Sequence, residues 1–209
     1  VAGAILWDVD TQRDFMLPDG KLYVAGAEET AAAMARLVAA AREAGVVHVA
    51  SADDHELTDP EISDDPDFRN TYPPHCLRGT PGAEKIPETE QADPLPLSHI
   101  AFPPGLIPGL VEGRREILLL KKNFDVFTNP NSDALVDALD PGQIVVFGVA
   151  TDVCDDAAIR GFLRRGRRVL FVEDAARGLD EERVASCLAA WREGGVELTT
   201  ADEAIERLA

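Results

Sequence analysis

"QIVVFGVATDVCDDAAIRGFLRRG", residues 143–166, decides how this chain is read. Its first seven residues form an apolar, β-branched run, the pattern of a strand buried on both faces. A short turn follows. Residues 153–165 then read as a helix that Gly166 ends. Strand, turn and helix make one unit of a parallel sheet. A lone thiol, Cys154, stands where the helix opens.

The same alternation extends in both directions. "AILWDV" (4–9) is an apolar run before polar "DTQRD" and reads as a first strand. Ala31, Met34, Leu37, Val38 and Ala41 recur at helical spacing up to Gly45. "VVHVASA" (46–52), "EILLLKK" (116–122), "RRVLFVED" (167–174) and "VELTT" (196–200) are further strands. "NSDALVDAL" (131–139) is a short helix stopped by Pro141-Gly142. A longer helix runs from Asp180 as N-cap to Gly194, and residues 201–208 form a last one. Residues 53–116 hold most of the prolines and little periodicity, as expected of a long loop region over a site. The expected fold is α/β: one domain over 1–209, three layers α/β/α, with a six-stranded, mainly parallel, doubly wound sheet.

Composition limits the function. Twenty basic against 38 acidic residues give a net charge of −18, which disfavours nucleic acid and anionic membranes as partners. No apolar run approaches the ~18 residues of a membrane span. The N-terminal "VAGAILWDVD" lacks the basic flank of a signal peptide. Three cysteines, 76, 154 and 187, are an odd and sparse set that suggests a reducing, cytoplasmic setting.

In an open α/β sheet ligands bind beyond the carboxyl ends of the strands. Asp8, Asp10 and Asp14 follow the first strand, and Asp53, Asp54 and His55 the second. Lys121 and Lys122 end the third, and one of them should face the site because side chains alternate. Cys154 follows the fourth. A free cysteine can be a small buried hydrophobe. A helix N-terminus and a nearby lysine would instead favour the thiolate, a carboxylate could take its proton, and turn N–H groups could hold an oxyanion. Asp53 and His55 face one way on an extended chain, and Glu61 and His75 lie in the long loop. Two imidazoles and two carboxylates suit a divalent ion; a solvated polar loop is the other reading. His48 and His99 read as structural. Cys187 reads as core, beside Val184, Leu188 and Trp191; Cys76 lies near the ion or does nothing.

Three motifs together resemble the cysteine hydrolase superfamily of isochorismatases and nicotinamidases: "DTQRDF" (10–15), "KKNFDVF" (121–127) and "GVATDVC" (148–154). The resemblance implies a triad of Cys154 as nucleophile, Asp10 as acid/base and Lys121, which it selects over Lys122. It implies a cis peptide at Val149–Ala150 and an oxyanion hole from the N–H groups of Ala150 and Cys154. "DDHELTDPEIS" and "NTYPPHCLRGTPGAE" resemble nicotinamidase segments. They imply Asp53, His55, Glu61 and His75 as ligands of one divalent ion, zinc first and manganese or iron as alternatives. They also imply Phe15 and Tyr72 as the aromatics that sandwich the substrate ring.

The activity so implied is hydrolysis of a small primary carboxamide to acid and ammonia through a thioester, nicotinamide being the first candidate. The same triad could serve another small amide, a carbamoyl compound or a ureide. A non-catalytic binding member would be expected to have a broken triad, and here all three residues are present. Tyr72 stands where the family usually has Trp, and Asp54 where it has an aromatic. Isochorismatases that cleave a vinyl ether lack the cysteine, so Cys154 argues against that chemistry. The family also tends to form homo-oligomers.

Overall fold

The computed structural model describes residues 3–103 and 105–208. Seven strands form one sheet: β1 (Ala4–Val9), β2 (Val47–Asp53), β3 (Leu95–Leu97), β4 (Glu116–Lys121), β5 (Gln143–Val149), β6 (Val169–Arg177) and β7 (Glu197–Thr199). Their order is β3-β4-β2-β1-β5-β6-β7, and every pair is parallel. The expected count was six. The seventh, β3, is a three-residue edge strand whose Pro96 cannot donate to a ladder, so its composition hides it.

Alternation along the central strands builds two cores. Ile5, Trp7 and Val9 of β1, with Ile144 and Val146 of β5, face one way. They pack against α3 (Leu106–Val111), α4 (Ser132–Leu139), α5 (Asp156–Arg164) and α6 (Glu181–Glu193). Leu6, Val145, Phe147 and Val149 face the other way, onto α2 (Ala31–Ala44) and α7 (Ala201–Leu208). This gives the three layers. Burying one such aliphatic or aromatic side chain contributes about 1.5–3 kcal/mol. Met34, Leu37, Val38 and Ala41 of α2 are buried, and Gly45 caps that helix in the left-handed region. Asp180 accepts the Arg183 N–H as N-cap of α6.

From β1 the chain winds outward through β2 to β3 and β4, then returns to lay β5 on the other side of β1 and winds on to β6 and β7, so the strand order reverses between β1 and β5. That reversal opens a crevice at the carboxyl ends of β1, β2 and β5. The short helix α1 (Arg13–Met16) follows β1 directly. Gly148, at φ +138°, lets β5 approach β1; a Cβ there would lie 2.1 Å from the Val9 carbonyl oxygen.

Candidate active site and metal centre

Lys121 ends β4 and is fully buried. Its Nζ lies 2.8 Å from Asp10 Oδ2 and also contacts Asp53 Oδ1. Burial alone would lower the lysine pKa, but Asp10 and Asp53 outweigh it, so the ammonium stays charged. Lys122 points elsewhere and pairs with Asp59 at 3.0 Å. Asp10 sits just past β1 at φ +51°, a left-handed conformation that Asp tolerates better than most residues. Its Oδ1 accepts the Ser51 hydroxyl at 2.7 Å. Burial pushes the Asp10 carboxyl up, Lys121 pulls it down and Asp53 pushes it up again; the net direction is up.

Cys154 lies in a π-helical turn, Thr151–Asp155, that runs directly into α5 and so opens the helical segment. Asp155 N–H donates to the Ala150 carbonyl at 3.1 Å, and the Val149–Ala150 peptide is cis. The expected depression of the thiol pKa is overturned. Burial drives Cys154 well above the ordinary thiol range; Lys121 opposes this, while Asp10, Asp53 and Glu61 add to it. Burial thus favours the neutral thiol, so that a base beside it would assist thiolate formation.

Asp53, His55, Glu61 and His75 are all buried, with one ligand atom from each inside a 4.8 Å cluster. The Nδ1–H of His75 donates to the Pro73 carbonyl at 2.7 Å, which turns its Nε2 lone pair toward Asp53 Oδ2 at 3.5 Å. His55 Nδ1 meets Asp59 at 3.3 Å, and its Nε2 faces Asp53 at 3.6 Å and Glu61 at 3.8 Å. That buried Nε2 has no hydrogen-bond partner. Lone pairs and carboxylates converging on one point, each oriented from behind, fit a divalent cation.

Glu61 keeps Oε1 for the cluster because its Oε2 accepts the Phe124 N–H at 2.7 Å. Burial pushes Asp53 up, but Lys121 and both imidazoles outweigh it and hold the carboxyl well below the usual range. Burial pulls His55 down, but Asp53 and Glu61 push it up overall. Glu61 is raised by burial and by Asp53.

One cavity is lined by Cys154, Ala150, Asp53, Glu61 and His75 together with Phe15 and Tyr72. Both aromatics also pack on the His75 ring, at centroid distances of 5.3 and 6.3 Å. Leu22, Val24, Phe124, Val153 and Leu179 complete the wall and were not anticipated. Leu22 and Val24 lie in an irregular stretch with no periodic signal, whereas Phe124 sits inside the quoted "KKNFDVF".

Other acids singled out in the sequence serve structure. Asp14 accepts the Lys21 and Cys76 N–H groups at 3.0 and 2.7 Å, so it anchors the segment carrying His75. Cys76 is buried, and its thiol is pushed well up by burial. Asp8 accepts the Thr11 hydroxyl at 2.8 Å and is paired with Lys85 at 2.9 Å; His48 lies 3.5 Å away. Burial pushes Asp8 up, but Lys85 and His48 outweigh it. Asp54 pairs with Arg78, and His99 is exposed. Cys187 is buried in the core cluster. No helix among the described residues is long and apolar enough to cross a membrane.

Known proteins share this fold over most of the chain. The chain is 29% identical over 190 residues to a nicotinamidase/pyrazinamidase from Mycobacterium tuberculosis, covering 91% of this chain and 95% of that one. A pyrazinamidase of Pyrococcus horikoshii in complex with zinc superposes with a TM-score of 0.73 at 22% identity, covering 94% and 98% of the two chains. An N-carbamoylsarcosine amidase from Thermoplasma acidophilum does so with 0.72 at 22%, covering 96% and 97%. The pattern of the isochorismatase domain matches residues 4–98 and 99–203, nearly the whole chain, and this protein belongs to that family.

Proposed function

We propose that this protein is a metal-containing cysteine amidohydrolase that converts a small primary carboxamide to its acid and ammonia, with nicotinamide as the first candidate. The observation that carries the reading is the position of Lys121. Its buried ammonium touches both Asp10 and Asp53, and so joins the acid/base to the metal-ligand cluster, whose Asp53, Glu61 and His75 line one cavity with Cys154.

In this reading Asp10 takes the Cys154 thiol proton, and Lys121 balances the charges of both. The new thiolate attacks the carboxamide carbon, and the oxyanion rests on the N–H groups of Ala150 and Cys154. Asp10 returns its proton to the departing nitrogen, so ammonia leaves and a thioester remains. A water then loses its proton to Asp10 and attacks the thioester, releasing the acid and restoring the thiol. Phe15 and Tyr72 hold a flat substrate, and the apolar wall of Leu22, Val24 and Val153 excludes bulk water. Asp53, His55, Glu61 and His75 would hold the divalent ion, zinc being the first candidate; bound there, it supplies a Lewis-acid contact for a substrate heteroatom. The segment 53–116 walls the site within a single catalytic domain.

The test is ammonia release from a panel of nicotinamide, other primary amides, carbamoyl compounds and ureides, beside elemental analysis of the purified protein. Turnover of nicotinamide, with about one divalent ion per chain, is the expected result. Turnover confined to a carbamoyl compound or ureide would keep the triad and replace the substrate. No release from any member of the panel would overturn the hydrolase reading.

A further inference from the structure

β1 ends at Val9, which pairs with Ser51, and Asp10 then turns the chain away. β2 continues to Asp53, so Asp53 outruns its β1 partner while still paired with Lys121 of β4 on the other side. Its backbone N–H and C=O toward β1 would be orphaned at the edge of a buried site, which is costly. The Gln12 side chain fills the gap. Its Oε1 accepts the Asp53 N–H at 2.7 Å, and its Nε2 donates to the Asp53 carbonyl at 2.8 Å. One side-chain amide thus stands in for a missing peptide of the ladder. The second Nε2 hydrogen reaches the Ala83 carbonyl at 2.8 Å, on the segment that follows His75. Gln12 is fully buried and uses three of its four hydrogen-bonding positions on these contacts.

We propose that Gln12 is a positioning residue for the metal centre. It fixes the Asp53 backbone, and through it the carboxylate that faces both imidazoles and Lys121, at a set distance from Asp10. Asp10 and Gln12 lie on one short turn, with the Gln12 N–H donating to the Asp10 carbonyl at 2.7 Å, so the turn that carries the acid/base also holds the backbone of the metal ligand. A hydrophobic or merely space-filling role would need neither the amide nor its length. This rests on the metal-centre reading above and extends it to a residue outside the cluster.

The test reads ion binding, so it does not depend on which amide is the substrate. Zinc affinity of the folded protein would be measured by chelator competition for the wild type, Gln12→Glu and Gln12→Asn. Glu cannot donate to the two carbonyls, and Asn keeps the chemistry but is one methylene short. Residues that orient metal ligands typically contribute about 10–100-fold in affinity, and a loss in that range is expected for both variants. Unchanged affinity in a folded variant, even one with a lowered melting temperature, would overturn the proposal. A second measurement needs no substitution: the side-chain amide resonances of Gln12 and the Asp53 amide proton should both shift when zinc is titrated into the wild type. Gln12 resonances that stay fixed while zinc binds would overturn the role of Gln12 and leave the metal centre standing. A wild type that binds no divalent ion would overturn both.

Discussion

Lys121 Nζ sits 2.8 Å from Asp10 Oδ2, in contact with Asp53 and with no exposure to solvent. A single buried cation therefore faces two buried carboxylates, one just past β1 and one at the end of β2. Coulomb attraction is strong in such a place, and so is the penalty for a charge left alone.

Lys121→Met should cost stability as well as activity. Breaking a buried ion pair by removing one partner typically costs about 3–5 kcal/mol. Denaturant unfolding of the ion-free protein should show a loss of that order, and ammonia release should fall by at least about 10²-fold, the scale of losing one electrostatic contact in an active site. A variant as stable as the wild type would mean that the carboxylates do not depend on this charge.

Cys154→Ala should abolish turnover and leave the fold intact, since it removes a small buried group. Because burial raises the thiol pKa, alkylation of Cys154 in ion-free protein should be slow at mildly acidic pH and accelerate as pH rises. Mass mapping distinguishes it from Cys76 and Cys187. Rapid labelling of residue 154 below neutrality would contradict the neutral thiol.

Ion affinity should rise with pH. The raised pKa of His55 means that its ring binds a proton more tightly than an ordinary imidazole, and that proton competes with the ion for Nε2. Chelator competition should show affinity falling by about tenfold per unit below that pKa for one displaced proton. Without the ion, His55 pairing with Asp53 and Glu61 stabilises the fold fully below about pH 6.5, the unfolded value. That contribution is lost as pH rises through the raised folded value, so loaded and ion-free melting temperatures should diverge toward alkaline pH. A flat affinity profile between pH 5.5 and 8 would count against this.

Asp155 is fully buried, and neither carboxylate oxygen has a hydrogen-bond partner. Burial, with Asp10 and Asp152 adding to it, lifts its pKa well above the usual range. The stability contributed by its neutral form is complete below about pH 3.9, the unfolded value. It is lost as pH rises through the elevated folded value. Asp155→Asn, which cannot ionise, should therefore melt a few degrees above the wild type at pH 9, with the gap closing toward acid. An equal or lower melting temperature at pH 9 would show that the carboxyl finds a compensating partner.

Gly82→Ala should loosen the metal centre from a distance. An added Cβ would lie 2.3 Å from the Asp14 carboxylate, which holds the Cys76 N–H beside His75. Displacing Asp14 should lower both zinc affinity and melting temperature. Gly109→Ala meets nothing within 4 Å and serves as the control. Equal zinc affinity in the two variants would separate Asp14 from the metal site.

Local chemistry made much of the molecule legible in the sequence. The apolar run 4–9, the helix stopped by Gly45, the Asp180 cap and the terminal helix 201–208 each stand where the residues put them, because period, caps and breakers act within a few neighbours. The candidate residues were legible through their motifs: Asp10, Asp53, His55, Lys121 and Cys154 at or shortly after strand ends, Glu61 and His75 within the long loop.

What tertiary structure alone decided involves groups far apart in the chain. Gln12 reaches Asp53 across 41 residues and Asp14 reaches Cys76 across 62, pairings that no local period encodes. β3 exists only because β4 offers it an edge. The buried Asp8–Lys85 pair likewise depends on how the loop returns. The protonation state of Cys154 turned on its surroundings too. A helix start and a lysine argue for a thiolate, yet burial near three carboxylates shifts the balance toward the thiol, because desolvation acts on the whole charge and depends on every neighbour the fold brings in.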